Sequence, residues 1–105
     1  MTYRVKLTEK AKQDLRDIYE YVAFSLLEPE IARNLKNRIV VGLQSLQEMP
    51  FRYPVYQEEP WKSRDLRRIN IGNYSGFYLV TSTTVQVIRI VYGGRNITNI
   101  LMESD

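Results

Sequence analysis

Arginine and tyrosine are the residues of this chain whose types and positions could do chemistry. The stretch from Lys62 to Arg95 carries six basic side chains against one acidic side chain, Asp65, a net charge of +5. Five of the six are arginines, whose planar guanidinium groups match phosphate and carboxylate oxygens with paired hydrogen bonds. These candidate contact residues are Arg64, Arg67, Arg68, Arg89 and Arg95. The stretch is therefore predicted to bind nucleic acid or an acidic protein segment.

The same arginines could instead serve the fold. Arginines at a sheet edge keep the edge strand solvated or form surface ion pairs, and the acidic residues Glu58, Glu59 and Asp65 are close in the sequence. Arg67 and Arg68 are neighbours on a predicted strand, so only one of them points outward. The sequence leaves open which one that is.

Arg89 and Tyr92 lie together on the last predicted strand. Alternation places Arg89 on one apolar face with three valines, where a charge must be paired or must face a ligand. Tyr92 lies on the opposite face, unless the two glycines that follow bend the chain and bring its hydroxyl around. That hydroxyl could transfer a proton if guanidinium groups lowered its pKa, and packing at the strand end is the alternative.

The composition excludes most other catalytic chemistry. The chain has 105 residues, none of them His or Cys. It therefore lacks a histidine base, a thiolate nucleophile and cysteine ligands for zinc or iron–sulfur clusters. We see no glycine-rich phosphate loop and no metal-ligand cluster, and we predict no metal and no cofactor. A length of 105 residues with 44% hydrophobic residues fits one domain over residues 1–105.

Targeting signals are likewise missing from the sequence. Residues 3–7 alternate charged and apolar side chains, unlike the apolar core of a secretion signal. The longest apolar runs are far shorter than the roughly 18 residues of a membrane span. The sequence therefore predicts a cytoplasmic protein that does not bind membranes.

Hydrophobic periodicity predicts the elements that position these residues. Residues 3–7 form a half-buried strand, and Thr8 is placed to cap the helix that follows. The apolar stripe of that helix is Ala11, Leu15, Ile18, Val22 and Leu26. Pro29 begins a second helix and Pro50 ends it. Its stripe is Ile31, Leu35, Ile39, Leu43 and Leu46.

The second half of the chain reads as a loop followed by a strand meander. Residues 50–65 hold three of the four prolines and form the loop, and residues 66–71, 74–80 and 85–92 form strands. Asn96 can begin a short terminal segment. The order predicts an α+β fold in which an N-terminal strand and a two-helix hairpin pack on a small antiparallel sheet, β-α-α-β-β-β.

The last strand is apolar on both faces, which is typical of a strand that is covered on both sides. Ile88 and Ile90 form one face, and Val85, Val87 and Val91 form the other. With the helices on one face, the other face is predicted to be a bare apolar and basic surface for a partner.

Three segments resemble the RelE/ParE superfamily, the toxins of bacterial type II toxin–antitoxin systems. Residues 11–21, AKQDLRDIYEY, resemble the first helix of that family. Residues 66–68 and 77–80, LRR and FYLV, and residues 87–97, VIRIVYGGRNI, are similar to its last three strands and their exit. The similarity covers nearly the whole chain in the family's order. It implies the family's fold and a growth-inhibiting toxin that a cognate antitoxin neutralises.

Two mechanisms divide that superfamily. RelE-like members cleave mRNA on the ribosome, whereas ParE-like members inhibit DNA gyrase. RelE-like nucleases usually carry an arginine where this chain has Ser75, and the strand exit around Tyr92 and Arg95 looks more like ParE. The long helical hairpin of residues 8–49 also favours ParE.

The resemblance to ParE implies a toxin that binds DNA gyrase without turning over a substrate. Its predicted contacts with target or antitoxin are Arg67, Arg68, Arg89, Tyr92 and Arg95. The alternative is a ribosome-dependent endoribonuclease acting on mRNA, with catalytic residues Arg64, Arg67, Arg89, Tyr92 and Arg95. A binding module without toxicity is the third interpretation.

Overall fold

A four-stranded sheet and a helical hairpin organise the chain, which a computed structural model describes over residues 2–93 and 96–103. The strands are β1 (Arg4–Leu7), β2 (Arg67–Ile71), β3 (Tyr74–Val80) and β4 (Thr84–Tyr92). The helices are α1 (Glu9–Glu20), α2 (Pro29–Gln44) and α3 (Ile97–Met102). This order confirms the predicted β-α-α-β-β-β arrangement and the α+β class, with α3 as the terminal segment that Asn96 begins.

The sheet is mixed, with strand order β1-β4-β3-β2. β2, β3 and β4 form the predicted antiparallel meander, but β1 pairs with β4 in parallel. The expectation of a wholly antiparallel sheet is therefore corrected at β1. Alternation of apolar residues reveals which faces a strand presents and not the direction in which it pairs.

The main core lies between the helical hairpin and one face of the sheet. Thr8 caps α1 as predicted, because its hydroxyl oxygen accepts a hydrogen bond from the Ala11 amide at 3.1 Å. The buried residues of this core include Ile39, Leu43, Leu46, Ile69, Tyr78, Val85, Val87 and Ile90. The core thus joins α1 and α2 to all four strands.

Two residues of the predicted helical stripes are exposed. α1 continues into a π-helical turn, Tyr21–Ser25, and its extra residue moves Leu26 off the buried face. At the start of α2, Ala32 takes the inward position and Ile31 stays in solvent. Both corrections fall at the tip of the hairpin, where the regular helical period is interrupted.

The second face of the sheet is covered by the chain itself, so the prediction of a bare face is wrong. Its buried cluster consists of Trp61, Leu66, Phe77, Val91 and Leu101. Trp61 and Leu66 come from the loop before β2, and Leu101 comes from α3. The loop residues and α3 supply the apolar cover that the twice-apolar strand requires.

A β-bulge at Ile88 changes which residues of β4 share a face. Phe77 pairs with Arg89 and Tyr78 pairs with Val87, so Ile88 is left between two consecutive pairs. The extra residue reverses the alternation beyond it. Val85, Val87 and Ile90 therefore lie in the helix-side core and Val91 lies in the second cluster, which corrects the predicted faces.

Candidate functional site

Arg89 forms a largely buried ion pair with Asp14 of α1. Its Nε donates to Asp14 Oδ2 at 2.7 Å and its Nη2 donates to Oδ1 at 2.9 Å, while Nη1 donates to the Ile100 carbonyl at 3.0 Å. Both side chains are only 13% exposed. The hydrogen bonds to Asp14 raise the pKa of Arg89 further, so the guanidinium stays charged. Arg89 thus joins α1, β4 and α3.

Asp14 also closes the free edge of β4. β1 pairs with β4 only as far as Val87, so the amides beyond that point lack a neighbouring strand. Asp14 Oδ2 accepts a hydrogen bond from the Ile90 amide at 3.0 Å. A single carboxylate therefore satisfies the edge of the sheet and neutralises Arg89.

Arg67 is tied to the loop that precedes β2. Its Nη1 donates to the carbonyls of Phe51 at 3.1 Å and Tyr53 at 2.6 Å, and its guanidinium lies 5.1 Å from the Phe51 ring centroid. These contacts hold the loop against the sheet. Of the neighbouring pair Arg67 and Arg68, it is therefore Arg67 that is directed toward the loop.

Arg68 projects onto the second face of the sheet, where Ser75 and Asn70 orient it. Its Nε lies 3.0 Å from Ser75 Oγ and 3.1 Å from Asn70 Oδ1. Ser75 in turn donates to Asn70 Oδ1 at 2.9 Å, and the Arg68 guanidinium lies 5.6 Å from the centroid of the Phe77 ring. Ser75 is only 2% exposed, so this arrangement is anchored inside the sheet.

Tyr92 ends β4 in contact with Tyr74 of β3. The two ring centroids are 5.5 Å apart and the rings meet edge to face. Burial is the largest cause that raises the pKa of Tyr74, and the hydroxyls of Tyr92 and Tyr21 add to it. The Tyr74 hydroxyl is therefore a poor general base at neutral pH.

The remaining predicted residues lie in other surroundings or outside the described residues. Arg64 is an exposed residue of the turn at residues 58–65, and its amide donates to the Trp61 carbonyl. Glu59 in the same turn accepts hydrogen bonds from the amide and hydroxyl of Ser63, which lower the pKa of Glu59. Arg95 lies outside the described residues.

Two cavities adjoin the end of β4. The larger one, about 610 Å³, is lined by residues of α1, the π-helical turn and β4. Arg89, Tyr92, Asp14 and Tyr21 are among its lining residues. The smaller one, about 310 Å³, lies at the β2–β3 turn. Arg68, Asn70, Asn73, Tyr74, Ser75 and Tyr92 line it, with Gly72 and Gly93.

Sequence reasoning placed Asp14 on the side of α1 that faces away from the apolar stripe, which is wrong, and assigned no role to Asn70. Asp14 carried a usable signal, because it follows Ala11 by three residues and precedes Ile18 by four on the buried stripe of α1. A carboxylate on that stripe must meet a cation or a donor. Asn70 carried no such signal, since its role depends on the pairing of β2 with β3.

Fold and site together define a small α+β domain in which Arg67 and Arg89 are engaged by the chain's own carbonyl and carboxylate oxygens. Among the described residues, no helix has the length and apolar character needed to cross a bilayer. The pocket beside Arg68 and the cleft beside α1 can accept a ligand or a partner side chain.

Comparisons with known proteins assign the family. The model of the family "ParE toxin of type II toxin-antitoxin system, parDE" matches residues 5–97. A structure of the chromosomal ParDE toxin–antitoxin system from P. aeruginosa is 26% identical, with a TM-score of 0.72. The match covers 87% of this chain and 96% of that chain. This chain therefore belongs to the ParE toxin family, the ParE side of the RelE/ParE superfamily.

A second solved structure shows the same fold at lower identity. It is the RelBE2 toxin–antitoxin complex from Mycobacterium tuberculosis, which is 20% identical with a TM-score of 0.61. The match covers 88% of this chain and 92% of that chain. No curated protein sequence matches the chain significantly.

Proposed function

We propose that this protein is a bacterial cytoplasmic toxin that inhibits growth by binding DNA gyrase and that a cognate antitoxin neutralises it. The observation that carries the proposal is the match of the ParE family over residues 5–97. The likeness to a ParDE system at 26% identity supports the antitoxin as a partner. Neither role requires a cofactor or a metal.

The site geometry favours binding over RNA cleavage. In-line cleavage needs cations around a phosphate and a base that can take up a proton. Arg89 is engaged by Asp14, Arg67 holds loop carbonyls, and Ser75 stands where RelE-like nucleases usually have an arginine.

The exposed tip of the helical hairpin also supports binding to a protein. Apolar side chains gather there within eleven residues of sequence, and Leu27 is 78% exposed. The others are Tyr21, Phe24, Leu26 and Ile31. Exposed apolar groups at this density are typical of surfaces that protein partners cover.

Induced expression in a sensitive bacterial strain tests the proposal. We expect DNA synthesis, followed by pulse-labelling, to fall before protein synthesis does, and viable counts to fall with it. Co-expression of the product of the adjacent small gene should restore growth. An uninduced culture is the control for both labels.

Two outcomes contradict the proposal in different ways. Early loss of translation with intact DNA synthesis would identify the ribosome as the target and support the RelE-like endoribonuclease. Unchanged growth with soluble, folded protein would leave a binding module without toxicity.

A further inference from the structure

The pocket at the β2–β3 turn holds a guanidinium that is fixed in place but only partly used. Two oxygens on neighbouring strands, Ser75 Oγ and Asn70 Oδ1, accept from Arg68 Nε. The Phe77 ring, which is fully buried, lies beneath the guanidinium. Among the described residues, no acceptor engages Nη1 or Nη2 of Arg68. These two nitrogens are therefore available to a ligand.

The pocket around this edge has the composition of an anion site. None of its eight described lining residues is acidic. Its polar groups include the Asn73 amide and the hydroxyls of Tyr74 and Tyr92, all of which can donate hydrogen bonds. No ion pair within the described residues neutralises Arg68. A half-buried guanidinium without a counter-ion gains most from an oxyanion that supplies the missing charge.

We propose that this pocket is a receptor for a carboxylate and that it takes an acidic side chain of a protein partner. The free Nη1 and Nη2 groups would bind the two carboxylate oxygens in parallel, and Ser75 acts as the positioning residue that orients the fork. The assignment of the carboxylate to a protein partner rests on the function proposed above. The assignment of the pocket as a carboxylate site does not rest on that function.

The geometry favours a carboxylate over a nucleic-acid backbone. A phosphate backbone is held by several cations spaced along a track. The described lining of this pocket supplies one cation, and the neighbouring arginine, Arg67, is turned toward loop carbonyls. One planar fork in a pocket of about 310 Å³ suits one planar carboxylate.

Titration of the purified full-length protein with sodium acetate tests the site. The Arg68 Nε–Hε signal is followed by ¹H–¹⁵N NMR at constant ionic strength, with chloride as the exchanged anion. We expect a saturable shift of this signal, while the signal of Arg33, an exposed residue of α2, changes only linearly. A parallel titration with inorganic phosphate should give binding no tighter than acetate.

Variants distinguish the contribution of the paired guanidinium donors of Arg68 from the contribution of its positive charge. Arg68→Lys keeps the charge but loses the paired donors, and we expect acetate binding, followed on the Asn73 amide, to weaken about tenfold. Ser75→Ala should weaken it less and should broaden the Arg68 signal, because Nε loses one acceptor. Arg33→Gln is the matched control and should leave binding unchanged.

Each remaining outcome overturns the proposal. A linear, unsaturated response at Arg68 would mean that there is no site. Phosphate binding that is tighter than acetate binding would make it a phosphate site. Equal acetate binding by the wild type and Arg68→Lys would show that the paired donors of the guanidinium group do not contribute to binding. None of these results depends on toxicity. The proposed carboxylate site can therefore be refuted without refuting the proposed function, and the reverse is also true.

Discussion

At the scale of single residues, the predicted cations differ in how they are held by the chain itself. Arg89 and Arg67 donate through their terminal nitrogens to carboxylate or carbonyl oxygens of neighbouring elements, whereas Arg68 donates only through Nε, to Ser75 and Asn70. The same residue type thus serves structure or recognition according to the oxygens within reach of its guanidinium.

The Asp14–Arg89 pair is expected to contribute strongly to stability. Asp14→Ala removes the carboxylate that accepts from the largely buried Arg89 guanidinium and from the Ile90 amide, so the free energy of unfolding should fall by about 3–5 kcal/mol. Urea unfolding measures this loss. Lys12→Ala is the control, because the exposed Lys12–Glu9 pair at 3.4 Å should contribute less than about 1 kcal/mol. Equal losses in the two variants would refute the structural role of Arg89.

The sequence could identify these residues but not their partners. Thr8 was predictable as a helix cap because a cap acts within three residues of itself. Arg89 was predictable as a charge that needs a partner, yet Asp14 lies 75 residues away and meets it only through the packing of α1 on β4. Likewise, the strand pairing of Ser75 with Asn70 decides that Arg68 faces the pocket.

At the scale of elements, β3 fixes the turn that follows α2. The fully buried Tyr78 of β3 donates its hydroxyl to the Pro50 carbonyl at 2.7 Å. Burial raises the pKa of Tyr78 to about 12. The neutral phenol is therefore the form that links the sheet to the short helical turn Pro50–Arg52.

Tyr78 should make stability fall in alkaline solution. An unfolded tyrosine ionises near pH 10, so between pH 10 and 12 the unfolded chain loses a proton that the folded chain keeps. Its contribution is complete at pH 8, begins to fall near pH 10 and has declined by roughly 1 kcal/mol at pH 11. Tyr78→Phe should be about 1 kcal/mol less stable at pH 8 and should lose that difference by pH 11.

Urea unfolding of both proteins at each pH checks this expectation. The other tyrosines and the lysines titrate in both proteins, and the comparison therefore cancels them. A constant difference between the two proteins from pH 8 to 11 would show that Tyr78 ionises as readily in the folded chain as in the unfolded one.

Strand bounds were predictable from the sequence, but the faces and the pairing of the strands were not, as β4 and β1 show. β3 was predicted with its observed bounds, Tyr74–Val80, because polar turn residues flank a mostly apolar run. Within β4 the bulge at Ile88 reverses the faces, and an apolar residue on an already apolar strand gives no local sign of a bulge. The four residues of β1 likewise carry no sequence signal that predicts its parallel pairing with β4.

At the scale of the whole molecule, the chain covers both faces of its sheet and leaves smaller surfaces for partners. The loop before β2 and α3 occupy the face that was expected to be bare. Exposed apolar residues remain at the hairpin tip, and polar and cationic groups line the cavities at the end of β4. A partner would therefore meet separate apolar and basic surfaces.

The supercoiling activity of purified DNA gyrase tests the central claim most directly. We expect the purified toxin, free of antitoxin, to inhibit supercoiling of relaxed plasmid at near-stoichiometric concentration and to leave ribosome-bound mRNA intact. Gyrase that stays fully active while mRNA acquires 2′,3′-cyclic phosphate ends would contradict the account and establish a nuclease.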